Sequence, residues 1–209
     1  TSGQLSVFTP KPTYIPNMEL RPYFDIGFLQ VGATLSAGKA YETVCHFIQS
    51  ILNFHPNKSW TEDEVYTLME HLALEGESFT DPLILKPTFN GTRADAQCRG
   101  SLENIGFDNL TPHNLVRATI EGIVEELYAY AKSMKEEFKT VQRCIATGGA
   151  LKRSRAFQKS VRSIFNMSVD LPAIEEGPAL GAAMHAAIAL GSLQMEQLPL
   201  FLASITYAT

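Results

Sequence analysis

The chain has 209 residues, of which 45% are hydrophobic and 19% are charged, with a formal net charge of −5. This composition is that of a globular protein able to bury a sizeable core, as one large domain or two small ones. An acidic chain has no electrostatic basis for binding nucleic acid or an anionic membrane, so we expect neither partner.

The first part of the sequence alternates strand and helix patterns. Residues 1–8 alternate like a strand, and because the chain does not begin with Met, we expect it to be a fragment of a longer protein. A Pro-rich loop is predicted over 9–22, and aromatic and β-branched residues predict one or two strands over 23–33. Apolar spacing predicts a helix over 41–52, and the capping-box sequence Thr61-Glu62-Asp63-Glu64 predicts a second helix through Leu72.

The central part of the sequence contains the longest predicted helix. Residues 83–89 form a short strand candidate, which continues into a polar loop over 90–100 that could carry function. Thr111 followed by Pro112 is a strong helix start, and apolar residues at helical spacing continue to Met134.

The last part of the sequence predicts strand, helix, strand and helix in that order. A strand over 141–146 precedes a helix with apolar residues from Phe157 to Phe165, and a strand over 167–171 precedes a helix that begins at Gly177-Pro178. This alternation is typical of parallel strands covered by helices in an α/β fold.

Two glycines follow the strand over 141–146, in the segment Thr147-Gly148-Gly149-Ala150. A Gly-rich turn between a strand and a helix allows close approach of a ligand to backbone N–H groups. Neither the P-loop nor the dinucleotide fingerprint is present. A tight turn with positive φ and an anion site therefore both remain open for this segment alone.

Two longer stretches carry a family resemblance. The sequences ATGGALKRSRAFQKSV (146–161) and VDLPAIEEGPALGAAMHAAIALG (169–191), in that order, resemble the C-terminal half of the FGGY carbohydrate kinases. The resemblance implies an α/β fold of the actin-like ATPase (ribonuclease H-like) type, with a mixed sheet flanked by helices. The stretches over 22–48 and 83–107 are most similar to the sedoheptulokinase branch.

The resemblance also implies domain limits and missing parts. Residues 1–191 would form the C-terminal nucleotide-binding domain and 192–209 a tail, while the N-terminal sugar-binding domain would be absent from this chain. The cofactors would be ATP and Mg²⁺, and the sugar would bind through the missing domain. No catalytic residue is assigned, because the family's base Asp lies upstream, so this chain alone should not phosphorylate sugar.

Nucleotide contacts are implied at positions that match the family's motifs. Thr1 and Ser2 would hydrogen-bond phosphate oxygens, Ala37 and Gly38 would pass close to the nucleotide, and Arg153 would reach the adenine edge. The remaining contacts would lie along the α-phosphate and ribose: Gly148, Gly149 and Ala150.

Other positions have less direct roles. Glu176 would cap or orient the last helix, and the small residues after it would allow close packing of that helix. Lys39 directly follows Gly38, at a position beside the implied nucleotide where the family often has Asn or Gly. Polar residues of the 90–100 loop would either shape the cleft or make ordinary loop hydrogen bonds: Thr92, Arg93 and Arg99.

Two alternatives to a sugar kinase remain open. The chain could be a regulatory or binding module of the actin-like ATPase fold without sugar chemistry, or a family member whose nucleotide site has decayed. Three scattered cysteines suggest a reducing, cytoplasmic location. The apolar tail around Leu198 could contact the missing domain, a second copy in a homodimer, or the local core.

Overall fold

A computed structural model describes residues 2–24, 26–54, 59–75, 81–174 and 176–206. The strands are β1 (Gln4–Thr9), β2 (Glu19–Tyr23), β3 (Gly27–Ala33), β4 (Ile84–Lys86), β5 (Ser101–Glu103), β6 (Arg143–Ile145) and β7 (Ser168–Asp170). The helices are α1 (Ala37–Leu52), α2 (Glu62–Glu75), α3 (Pro112–Ser133), α4 (Glu136–Lys139), α5 (Gly149–Arg153), α6 (Arg155–Phe165), α7 (Gly177–Ala189) and α8 (Leu198–Thr206). A 3₁₀ turn at Met195–Gln197 precedes α8.

The first three strands form an antiparallel sheet in the order β1-β3-β2. The central strand β3 pairs with β1, with Gln4 opposite Ala33, and with β2, with Glu19 opposite Val31. The prediction of a loop over 9–22 is wrong for β2. Pro22 suggested a loop, but it lies in an edge strand, where a missing N–H donor is tolerated.

The later strands pair in two separate ways. β6 and β7 are parallel, as the strand-helix-strand order predicts, and the Ala146 N–H extends the pairing with a 2.9 Å hydrogen bond to the Asp170 carbonyl. β4 and β5 are antiparallel. The described strands therefore include both parallel and antiparallel pairs, and helices pack against them.

The main core surrounds α3. This helix packs against α1, α2 and α6, as well as against β4. Its predicted start is confirmed, because the Thr111 hydroxyl accepts a hydrogen bond from the Asn114 N–H and Pro112 occupies the first turn. Its predicted apolar face is buried, with Val116 fully enclosed, and each such side chain contributes about 1.5–3 kcal/mol on burial.

Helix α7 packs less closely than its small residues allow. A Cβ placed on Gly181 would have no heavy atom within 4 Å, and Met184 is the buried residue of this helix. The close packing that the small residues of this helix allow is therefore not found at Gly181 among the described residues. α7 instead contacts the β2–β3 turn, where the His185 ring stacks on Phe24 at a centroid distance of 4.0 Å.

Within the described ranges, no helix combines the length and apolar character that crossing a membrane requires.

Candidate functional site

The start of β1 lies beside the end of β3 and the start of α1. The Gly3 N–H donates to the Thr34 hydroxyl at 3.1 Å, and the Thr34 N–H donates to the Gly3 carbonyl at 2.9 Å. A Cβ on Gly3 would lie 3.1 Å from the Ala37 Cβ. These contacts bring Ser2, through its neighbour Gly3, close to Ala37, whereas Thr1 lies outside the described residues.

Helix α1 begins without a side-chain cap. Its N-cap residue, Ser36, makes no capping hydrogen bond, and its buried hydroxyl donates to the Pro87 carbonyl at 2.8 Å. The first-turn N–H groups at Ala37 and Gly38 therefore do not donate to this side chain. A 16-residue helix with such a start presents first-turn N–H groups without a side-chain cap, at the positive end of its dipole.

Lys39 follows these two residues on the first turn of α1. Its ammonium group pairs with Glu42 three residues later, and the Lys39 side chain is 62% exposed. In this arrangement the lysine interacts along the surface of its own helix.

The glycine turn is shaped by Gly148. Its φ of 99° and ψ of 156° fall in a region that residues with a side chain rarely adopt. A Cβ at this position would meet no heavy atom within 4 Å. Gly148 is thus needed for its backbone conformation, and the space beside it is open.

Gly149 and Arg153 lie together across the single turn of α5. A Cβ on Gly149 would be 2.9 Å from the Arg153 Nη2, and all three nearest atoms belong to that guanidinium group. Gly148 is the N-cap residue of α5 and has no side chain that could cap the helix. Ala150 is exposed. The structure thus brings Gly148, Gly149, Ala150 and Arg153 into one exposed turn.

Hydrogen bonds from both sides hold α5 in place. The Lys152 ammonium donates to the Ile174 carbonyl at 2.6 Å, which links α5 to the segment before α7. The Gln158 amide donates to the Leu151 carbonyl at 2.8 Å, which links α5 to α6. The glycine turn is therefore part of an ordered junction between β6, α6 and α7.

Tyr41 connects the α1 segment to the α5–α6 segment. It lies one turn after Ala37, and its ring contacts Phe157 edge-to-face at 5.1 Å between centroids. On its other side it stacks on Tyr66 of α2 at 5.7 Å. Burial, and then the negative charge of Glu70, raise the pKa of Tyr41, so its hydroxyl stays neutral at physiological pH.

Some helices of the fold begin with a side-chain cap and others do not. The predicted capping box of α2 is confirmed, since the Thr61 N–H donates to Glu64 and the Glu64 N–H donates back to the Thr61 hydroxyl. Side chains also cap α3 and α6. In contrast, α1, α5 and α7 begin without a side-chain cap. Glu176 occupies the N-cap position of α7, but its carboxylate makes no capping bond, so the capping alternative is wrong and the orienting role stays a prediction.

The polar loop over 90–100 makes contacts within the domain. Arg93 pairs with Glu19 of β2 at 2.5 Å, and Thr92 and Asp95 bond each other. The Arg99 guanidinium donates to the Ala96 and Cys98 carbonyls. The Thr92 and Arg99 contacts are ordinary loop hydrogen bonds, whereas Arg93 links the loop to β2. A role of this loop in shaping the cleft stays a prediction.

One residue of this region was not predicted from the sequence. Glu70 of α2 hydrogen-bonds to Ser154, at the junction of α5 and α6, at 2.6 Å. The two residues are 84 positions apart, so no local pattern indicates that they meet. From the sequence alone, a glutamate in a helical segment is expected to lie at the solvated surface.

Comparison with known proteins identifies the family. The model for the C-terminal domain of the FGGY family of carbohydrate kinases matches residues 7–190. The chain is 30% identical to a xylulose kinase from Staphylococcus epidermidis over 78% of its length and 31% of that protein. It is 26% identical to human sedoheptulokinase over 90% of its length and 37% of that protein.

Solved structures show the same fold. A ligand-bound xylulose kinase from Lactobacillus acidophilus matches with a TM-score of 0.77 and 24% identity, over 93% of this chain and 38% of the other. A glycerol kinase from Plasmodium falciparum solved with ADP matches with a TM-score of 0.69 and 19% identity, over 97% of this chain and 38% of the other. The chain thus spans about a third of the length of these relatives. Its fold is the α/β fold of the actin-like ATPases, and the chain belongs to the C-terminal domain of the FGGY family of carbohydrate kinases.

Proposed function

We propose that the chain is the ATP-binding C-terminal domain of a kinase that transfers the γ-phosphate of ATP to a sugar hydroxyl. The observation that carries this proposal is the uncapped start of the 16-residue helix α1 in a chain of this family. Helix N-termini with unsatisfied N–H groups are favourable sites for phosphate. The open space beside Gly148 leaves room for a ligand to approach the backbone.

The described residues fit a nucleotide. Ser2 and the first-turn N–H groups at Ala37 and Gly38 would bind phosphate oxygens, and the turn at Gly148 and Gly149 would lie along the α-phosphate and ribose. Arg153, whose guanidinium lies over Gly149, would contact the adenine edge. Bound ATP would supply the phosphoryl group, while these residues hold and orient it.

Magnesium would be held mainly through the nucleotide. The segments 2–3, 34–38 and 147–153 contain no Asp or Glu. Among the described residues, no group of three metal-ligating side chains comes together. We therefore propose that Mg²⁺ enters with ATP and neutralises its phosphate charge.

The proposed acceptor is a ketose such as sedoheptulose. Relatives named for two ketoses, xylulose and sedoheptulose, match over most of this chain. Residues that bind the sugar and accept its proton would belong to the part of the family fold that this chain does not contain. The limit of the nucleotide-binding domain at residue 191 remains a prediction.

Titration of the full-length protein with ATP, in the presence and absence of Mg²⁺, tests the nucleotide site. We expect saturable, Mg²⁺-dependent binding that is weakened by Gly149→Val. Binding that is unaffected by this substitution would contradict the site, and no binding would favour a decayed member of the family. Binding without phosphorylation of any sugar would favour a regulatory module.

A further inference from the structure

Glu70 lies on α2, and both oxygens of its carboxylate bind the start of α6. The Ser154 hydroxyl donates to Oε2 at 2.6 Å, and the Ala156 N–H donates to Oε1 at 3.1 Å. Glu70 is partly buried, on a helix whose Val65 and Met69 are fully enclosed. Its position is therefore fixed by the packing of α2 as well as by these two bonds.

Glu70 and Ser154 together cap the start of α6. The Ser154 hydroxyl accepts from the Phe157 N–H at 3.1 Å while it donates to Glu70. Glu70 itself satisfies the Ala156 N–H, a second donor of the first turn of α6. A negative charge at this end of an 11-residue helix is also favoured by the helix dipole.

Ser154 joins this cap to the glycine turn. It directly follows Arg153, and its N–H donates to the Ala150 carbonyl at 2.9 Å, which closes α5. Helix α2 also contacts α1, through the stacking of Tyr66 on Tyr41. One helix thus holds both parts of the proposed nucleotide site, α1 by ring stacking and α5 by Glu70.

We propose that Glu70 is a positioning residue of the nucleotide site, which holds Gly149 and Arg153 in register with the start of α1. This inference rests on the proposed function. Loss of the carboxylate would free the α5–α6 junction and weaken nucleotide binding in the ground state and the transition state alike. Such a change raises KM for ATP and leaves kcat unchanged.

Variants of the full-length protein test this role. We expect Glu70→Ala to raise Kd and KM for ATP about tenfold, with kcat and the KM for sugar within about twofold of wild type. Glu70→Gln should recover part of this loss, because its amide oxygen can still accept one hydrogen bond. Amide hydrogen exchange should rise over 149–158 in Glu70→Ala. The matched control is Glu75→Ala, an exposed glutamate of the same helix that pairs with His71 at the surface.

The outcomes separate this inference from the proposed function. Unchanged Kd and KM for ATP in Glu70→Ala, with normal binding by wild type, would overturn the positioning role alone. A lower kcat at unchanged KM would also overturn it, since it indicates a smaller folded fraction. If Glu70→Ala fails to fold, Ser154→Ala removes the hydroxyl link and should raise KM for ATP in the same way. Absence of ATP binding by wild type would overturn the proposed function together with this inference.

Discussion

Replacing Gly149 with valine should separate ligand binding from folding. In the structure the three heavy atoms nearest to a Cβ at this position all belong to the Arg153 guanidinium, with Nη2 at 2.9 Å. This group is the far end of a flexible, exposed side chain, so it can move away. Valine and glycine differ by less than about 0.5 kcal/mol in helix propensity. We therefore expect the melting temperature to change by less than about 2 °C.

The same substitution should strongly affect the nucleotide. A branched side chain would occupy the space in which we propose that phosphate and ribose approach the backbone. We expect the Kd for ATP in the presence of Mg²⁺ to rise at least tenfold, which corresponds to about 1.4 kcal/mol. Isothermal titration calorimetry measures the Kd, and differential scanning fluorimetry measures the melting temperature.

A matched control distinguishes this site from a general effect of Gly→Val. Gly181 lies within α7, and a Cβ there would meet no heavy atom within 4 Å. Gly181→Val should leave both the melting temperature and the Kd for ATP near the wild-type values. An unchanged Kd in folded Gly149→Val would refute the proposed location of the nucleotide.

Three further substitutions test individual contacts. Gly148→Ala should lower stability by about 1–2 kcal/mol in chemical denaturation, because φ is 99° and the cost is backbone strain rather than a clash; no loss would contradict the left-handed turn. Ser36→Ala should lower stability by about 0.5–1.5 kcal/mol, because it removes one buried hydrogen bond to the Pro87 carbonyl, which keeps its bond from the Phe89 N–H, whereas exposed Ser50→Ala should have little effect. Burial raises the pKa of Glu126, whose Oε2 is buried without a hydrogen-bond partner among the described residues. A raised folded-state pKa gives stability that is present below the unfolded pKa of about 4.3 and lost as pH rises through the folded value. Thermal melts from pH 4 to 8 should show wild type losing stability relative to Glu126→Gln, and parallel curves would contradict this.

Local sequence patterns predicted most of the helices. The Thr111-Pro112 start and the apolar periodicity of α3 agree with the structure because both depend on interactions within one helix. β2 was missed because Pro22 favours loops in general, and only the pairing of strands shows that it lies at an edge. The close packing that the small residues of α7 allow is not found at Gly181 among the described residues, since small residues permit close contact but do not supply a neighbour.

The candidate site was only partly accessible from sequence. The turn at Gly148 and Gly149 was predicted because a strand, two glycines and a helix are adjacent in the chain. The Ser36 hydroxyl donates to the Pro87 carbonyl, and these two residues are 51 positions apart in the sequence. The contact of Glu70 with Ser154 likewise depends on how α2 packs against α6. Such long-range contacts have no signature in a single sequence, although they fix the side chains of Ser36 and Ser154 at the starts of α1 and α6.

Coupled phosphorylation by the full-length protein tests the kinase proposal most directly. The assay would use ATP and Mg²⁺ with a panel of ketoses and polyols that includes xylulose and sedoheptulose. We predict turnover of a ketose, with a KM for ATP that rises in Gly149→Val. Absence of turnover with every sugar, in a protein that binds ATP, would contradict sugar kinase activity and favour a regulatory module of the same fold.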